Sequence, residues 1–146
     1  MTDPTELDLC RVFLDANVMY AASLRDGGCD KLWSLASVQL VTNDYAAQEA
    51  WENLKQQPDP DKCRDKLAGL LSKMEITKWT GDQTQSLYCA WSLPDPDDIP
   101  ILMGAIDSDC QFLLSSDKEC FGMYFDCTLD GVTIKKVGSF LNSHGH

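Results

Sequence analysis

The stretch Val12-Phe13-Leu14-Asp15 is a short apolar run that ends on a carboxylate. This pattern is typical of a buried strand at the point where the chain leaves a sheet. A second apolar run, at residues 38–42, closes on Asn43-Asp44 in the same way. Three later apolar or alternating runs lie at 76–79, 112–114 and 132–137. With the first two, they predict about five strands.

Segments with helical periodicity separate the predicted strands. Apolar residues recur at helical spacing in four regions, 32–36, 47–54, 63–74 and 99–106. Strand and helix therefore alternate, which predicts an α/β fold. In such a fold, helices cover both faces of a central, mostly parallel sheet, giving three layers.

The length and composition favour one domain in the cytosol. A chain of 146 residues has the usual size of a single compact domain, with loose tails expected at residues 1–9 and 142–146. The start of the chain lacks the pattern of a signal peptide, and no apolar run is long enough to cross a membrane. The seven cysteines lie in apolar stretches without a C-x₂-C pair, which favours reduced thiols over a zinc site.

The acidic residues are the candidates for chemistry. Ligands of an open parallel sheet bind beyond the carboxyl ends of its strands. Asp15 and Asp117 follow predicted strands, Asp98 opens a predicted helix, and Glu49 lies in the helix after the second strand. Four carboxylates that converge there repel one another unless they hold protons or a cation, and an oxygen-only set favours Mg²⁺ or Mn²⁺. Such ions support hydrolysis of phosphodiesters.

Each acid also has a simpler explanation. Asp97 or Asp98 could cap the following helix, Asp117 could shape a turn, and Glu49 could solvate a helix face. Asp15 is harder to explain in this way, because it directly follows three apolar residues at a strand end.

These residues carry a resemblance to the PIN (PilT N-terminus) domain family. The stretch Val12-Phe13-Leu14-Asp15-Ala16-Asn17-Val18 resembles the opening PIN motif, and Glu49 before Asn53-Leu54 resembles the second. The stretch Asp95-Pro96-Asp97-Asp98, followed by Leu114-Ser115-Ser116-Asp117, is similar to the third and fourth.

The resemblance implies a Mg²⁺- or Mn²⁺-dependent ribonuclease, often the toxin of a toxin-antitoxin pair. It assigns metal binding to Asp15, Glu49, Asp98 and Asp117, and orientation of that site to Asn17 and Ser115. Ser115 replaces the usual Thr and keeps its hydroxyl group. One extra residue before Asp117 leaves the choice between Asp97 and Asp98 open, and Glu119 is a further candidate acid. An antitoxin protein and a second copy of the chain are the partners that this reading adds to RNA.

The charge balance bears on RNA binding. With 23 acidic and 12 basic residues, the net charge of −11 repels a polyanion. Basic residues concentrate near the predicted helix at 61–74, where Lys62, Lys66 and Lys73 share one face, called here the lysine face. We expect it either to bind RNA phosphates beside the metal site or only to solvate the helix.

Two other functions compete with the nuclease. A haloacid-dehalogenase-like phosphatase is similar at Leu14-Asp15-Ala16-Asn17-Val18, but Asn17 cannot act as the acid that its mechanism needs. A PIN domain without catalysis, which binds protein instead, is the alternative from another class, and the acidic balance favours it.

Overall fold

The computed structural model describes residues 9–24, 28–81, 98–116 and 121–144. Within these ranges the elements follow in the order β1 (Cys10–Leu14), α1 (Ala16–Ser23), a 3₁₀ helix (Gly28–Ser34), β2 (Val38–Asn43), α2 (Asp44–Asn53), a 3₁₀ turn (Leu54–Gln56), α3 (Pro60–Leu71), β3 (Glu75–Thr77), α4 (Ile99–Asp107), β4 (Phe112–Leu114), a 3₁₀ turn (Gly122–Tyr124), β5 (Thr128–Leu129), β6 (Val132–Lys135) and α5 (Val137–His144). None of the helices in these ranges is long and apolar enough to span a membrane.

The strands form one sheet in the order β3-β2-β1-β4-β6-β5. All neighbouring pairs are parallel except β5 and β6, which are antiparallel. The chain adds β2 and β3 on one side of β1 and later adds β4 and β6 on the other. The predicted α/β class with a mostly parallel sheet is therefore confirmed. The side on which new strands are added reverses between β1 and β4, so the topological switch point lies between these two strands.

The central strand β1 is covered on both faces. Its last three residues, Val12, Phe13 and Leu14, are each 0% exposed, although successive side chains of a strand point to opposite faces. Only a strand with apolar layers on both sides can bury such a continuous run. The apolar run therefore encodes the position of β1 in the middle of the fold.

All five predicted strands are present, and the structure adds a sixth. The additional strand β5 has two residues and pairs with β6 across the turn at Asp130-Gly131. Gly131 has a φ of 86° and Asp130 a φ of 47°, as expected for a tight hairpin. Two residues are too few for an alternating pattern to appear in the sequence.

The helices differ from the prediction in four places. The helical segment predicted at 32–36 is the end of a 3₁₀ helix, Gly28–Ser34. Helix α1 has no polar face, since five of its eight residues are buried, so no amphipathic pattern predicts it. Helix α3 ends at Leu71 rather than at residue 74, which leaves Lys73 in the following turn. The sequence predicts a loose tail from residue 142, whereas residues 142–144 belong to α5, which the buried Phe140 anchors to the core.

Candidate active site

Asp15 lies at the switch point of the sheet and is 6% exposed. It occupies the N-cap position of α1, and its Oδ1 accepts a hydrogen bond from the backbone N–H of Ala16 at 2.7 Å. Its own N–H donates to the carbonyl of Leu114, the last residue of β4, at 3.1 Å. Both bonds fix the carboxylate at the carboxyl edge of two adjacent parallel strands, where open α/β sheets bind ligands.

Asn17 and Ser115 both contact this carboxylate. The Ser115 hydroxyl is fully buried and donates to Asp15 Oδ2 at 2.8 Å. The Asn17 amide lies 3.4 Å from both Asp15 Oδ2 and Ser115 Oγ, and its Oδ1 accepts from the Ser116 N–H at 3.2 Å. Asn17 therefore links the end of β1 to the end of β4.

Two other predicted acids, Glu49 and Asp98, affect the pKa of Asp15. The pKa of Asp15 is raised from 3.8 to about 6, mainly by burial and to a smaller extent by the charges of Glu49 and Asp98. The hydrogen bonds from Ser115 and the Ala16 N–H oppose the shift. Asp98 is 9% exposed, whereas Glu49 lies on the exposed side of α2. The charges of Glu49 and Asp98 thus act on the Asp15 carboxylate at this edge.

Asp98 occupies the N-cap position of α4, where helix capping is the simplest explanation for an aspartate. Its side chain, however, makes no capping hydrogen bond to the backbone of α4, all of which lies within the described residues. Capping therefore does not account for a carboxylate buried at this position.

Asn43 connects the two helices that carry Glu49 and Asp98. This side chain is 1% exposed and caps α2, because its Oδ1 accepts from the Ala46 N–H at 2.9 Å. Its Nδ2 donates to the Pro100 carbonyl, in the first turn of α4, at 3.0 Å. The sequence marks Asn43 only as the residue that closes a strand, so this second bond is a tertiary feature that no local pattern predicts.

Gly104 allows α4 to approach the sheet this closely. A Cβ atom at this position would lie 2.6 Å from Asn43 Nδ2 and 2.7 Å from Phe13 Cζ. Real Cβ atoms do not approach other heavy atoms so closely, so a larger residue would displace α4. The lack of a side chain at Gly104 therefore contributes to the position of Asp98 at the start of the same helix.

Three predicted acids, Asp97, Asp117 and Glu119, lie outside the described residues. Within the described ranges, no three His, Cys, Asp or Glu side chains form a group that could hold a metal ion. The expected four-ligand cluster therefore stays a prediction.

Two residues of the lysine face, Lys62 and Lys66, lie at the other end of α1. Lys66 Nζ donates to the carbonyl of Leu24, just after α1, at 3.2 Å and lies 3.4 Å from Asp30 Oδ2. Lys62 and Lys66 line one cavity together with Ser23, the last residue of α1. An eight-residue helix is about 12 Å long, so the structure separates these lysines from Asp15 by that length. The RNA-binding role of the lysine face stays a prediction.

Solved structures with the same fold share little sequence with this chain. PAE2754 from Pyrobaculum aerophilum has a TM-score of 0.65 at 17% identity, covering 93% of this chain and 90% of that chain. VapBC2 from Rickettsia felis, bound to a DNA fragment from their promoter, has a TM-score of 0.62 at 15% identity, covering 86% and 98%. VapC20 from Mycobacterium tuberculosis, a Sarcin-Ricin loop cleaving toxin, has a TM-score of 0.58 at 15% identity, covering 74% and 91%.

At such identities the likeness concerns the fold. No curated protein sequence matches the chain. The sequence profile of the PIN domain matches residues 11–119, which is well over half of the chain. This match includes the ends of β1 and β4, where Asp15 and Ser115 meet. The chain belongs to the PIN domain family.

Proposed function

We propose that this protein is a divalent-metal-dependent ribonuclease that hydrolyses RNA phosphodiester bonds. The observation that carries the proposal is the buried Asp15, which Ser115 holds at the switch point of the sheet. Burial, with a smaller contribution from the charges of Glu49 and Asp98, raises its pKa to about 6. A cluster of carboxylates with a perturbed pKa in the ligand-binding region of an α/β sheet is a typical functional site. Family membership and the likeness to a loop-cleaving toxin support the same reading.

The chemistry of the donor set fits Mg²⁺ or Mn²⁺. Its donors are carboxylate oxygens with a neighbouring hydroxyl, which hard divalent cations prefer. A cation would offset both the burial and the smaller repulsion that raise the pKa of Asp15. We assign metal binding to Asp15, Asp98, Glu49 and Asp117. Because the described acids do not form a three-ligand group, binding would require Asp117 and a rotation of the exposed Glu49 side chain.

The chain's own residues prepare Asp15 for this role. The Ala16 N–H and the Ser115 hydroxyl each bind one carboxylate oxygen, so both oxygens have fixed directions. Asn17 adds an amide beside Ser115, but an amide cannot protonate a leaving group, which separates this site from that of a haloacid-dehalogenase-like phosphatase. Divalent ions in such sites activate water and neutralise the charge that develops on a phosphodiester.

The proposal extends to partners. We propose that the protein is the toxin of a toxin-antitoxin pair, with an antitoxin protein and a second copy of the chain as partners. The likeness to VapBC2 supports this assignment. Size-exclusion chromatography with light scattering, with and without a candidate antitoxin, tests it. A monomer that binds no such protein would contradict it.

The test of the activity is a titration with Mn²⁺, followed by incubation with a structured RNA. We expect the melting temperature to rise with Mn²⁺ and the RNA to be cut only when metal is present. Asp15→Asn and Asp98→Asn should remain folded and lose cleavage. If Asp97→Asn abolishes cleavage and Asp98→Asn does not, Asp97 is the third ligand. A melting temperature that does not respond to metal, together with intact RNA, would favour the protein-binding alternative.

A further inference from the structure

An open groove lies beside Glu49 at the carboxyl edge of the sheet. It has a volume of about 500 Å³ and is lined by Asp44, Tyr45, Gln48, Glu49 and Trp79. We propose that this groove, called here the Trp79 groove, is a subsite for one nucleobase of single-stranded RNA, which stacks on the Trp79 indole. The inference rests on the proposed ribonuclease activity, because it places the base next to one of the proposed metal ligands.

The backbone of Trp79 is fixed at this edge. Thr77, the last residue of β3, pairs with Asn43 at the end of β2, so the chain leaves the sheet beside the first turn of α2. The Trp79 N–H then donates to Asp44 Oδ1 at 2.8 Å. The indole itself is only partly buried. It therefore offers a positioned aromatic surface, whose ordering on binding has a small entropic cost.

The chemistry of the lining selects a base rather than a phosphate. The described residues that line the Trp79 groove combine two aromatic rings, one amide and two carboxylates, with no Lys or Arg among them. Carboxylates repel a phosphate, whereas a neutral planar base can stack on an aromatic ring and pair its edge with an amide. The groove is thus complementary to the uncharged part of a nucleotide.

A basic residue, Lys78, precedes Trp79 and lines a second cavity with it. This cavity is smaller and also includes Thr80. Lys78 is exposed. A base stacked on Trp79 can therefore have its neighbouring phosphate near Lys78, in a cavity whose lining also includes the carboxylate of Asp107. An aromatic surface next to a cation is the usual combination in proteins that bind single strands.

The experiment measures binding rather than cleavage. In the Asp15→Asn background, which prevents hydrolysis under the proposed function, the affinity for a short oligoadenylate is measured by fluorescence anisotropy with Mg²⁺ present. Replacement of Trp79 by Leu, which keeps an apolar side chain but removes the aromatic face, should weaken binding by about 5- to 100-fold. Trp79→Phe should retain most of the affinity. The same oligonucleotide with abasic sites should bind the Trp79 parent and Trp79→Leu equally.

Trp51 supplies a matched control. It is an exposed tryptophan on α2 outside the Trp79 groove, with Arg64 over its ring at 5.2 Å. Trp51→Leu should leave oligoadenylate binding unchanged. Equal binding by Trp79→Leu and its parent would overturn the subsite, and so would an equal loss in Trp79→Phe and Trp79→Leu. If the native chain never cleaves RNA but Trp79→Leu still weakens binding, the ribonuclease proposal fails and the base subsite stands.

Discussion

Asp15→Asn should stabilise the metal-free protein at neutral pH, although it removes a proposed catalytic ligand. Burial and two neighbouring acids raise the pKa of Asp15 from 3.8 to about 6 in the folded protein. A raised carboxyl pKa means that ionisation opposes folding. The protonated carboxyl group stabilises the fold fully below its unfolded pKa, near 4. This stabilisation is lost as the pH rises through the folded pKa of about 6.

The size of the effect follows from the shift. A difference of about two pKa units corresponds to about 3 kcal/mol between the two protonation states. An amide at position 15 stays neutral at every pH and keeps the shape of the carboxyl group. Its oxygen can still accept from the Ala16 N–H, while the Ser115 hydroxyl can reverse its role and accept from the new amide. We therefore expect a net gain of about 1–3 kcal/mol, since the reversed bond is weaker than the charged one.

The assay is urea unfolding followed by circular dichroism, with a chelator present. The free energy of unfolding of Asp15→Asn minus that of the wild type should be near zero at about pH 4 and should grow to the full value at about pH 7.5. Asp65→Asn, which changes an exposed carboxylate on α3, should show no such growth. A difference that does not change with pH, or a variant less stable than the wild type at neutral pH, would refute the assigned environment of Asp15.

Three further predictions test how the site is built. Gly104→Ala should lower the free energy of unfolding by about 1–3 kcal/mol through overpacking, whereas Gly69→Ala, with nothing within 4 Å of the new Cβ, should raise it slightly. Serine in Asn43→Ser can still cap α2 but is too short to reach Pro100, so several-fold more Mn²⁺ should be needed to raise the melting temperature. The control Ser23→Ala, at the far end of α1, should lower the melting temperature without changing its response to Mn²⁺. Glutamine at all three positions of the lysine face should weaken RNA binding for every sequence and flatten its salt dependence by about one unit of slope per contact; unchanged binding would mean that these lysines only solvate α3.

The sequence predicts those parts of the fold whose signals are local. Strand β1 is visible because three consecutive apolar residues require cover on both faces. The same burial hides α1, because a helix with mostly buried residues has no polar side to reveal its period. Asp15 can be predicted as a candidate site residue because a carboxylate directly after a buried strand is costly to bury.

The remaining parts of the site depend on contacts between segments far apart in sequence. The hydrogen bond from Asn43 to Pro100 spans 57 residues. The tight packing at Gly104 arises because α4 lies against Phe13 of β1 and Asn43 of β2.

The lysine face shows the converse. Lys62 and Lys66 lie one turn apart on α3 as predicted, whereas Lys73 lies beyond its end. The direction of α3 brings Lys66 to the end of α1 remote from Asp15. Helical spacing defines a face of a helix but not its neighbours.

The stability and the proposed activity of this protein are coupled through Asp15. Without metal, the ionised carboxylate opposes folding by about 3 kcal/mol, a cost of the kind that proteins carry where activity requires a destabilised site. A ligand that binds only the folded state adds about 2.7 kcal/mol at a concentration one hundred times its dissociation constant. At that concentration, metal would therefore stabilise the wild type by about the same free energy that Asp15→Asn gains without metal. Because the variant has lost the charge that attracts the ion, its own response to Mn²⁺ should be much smaller. If Mn²⁺ stabilises both proteins equally, the ion binds elsewhere, and the carboxylates at this edge of the sheet need another explanation.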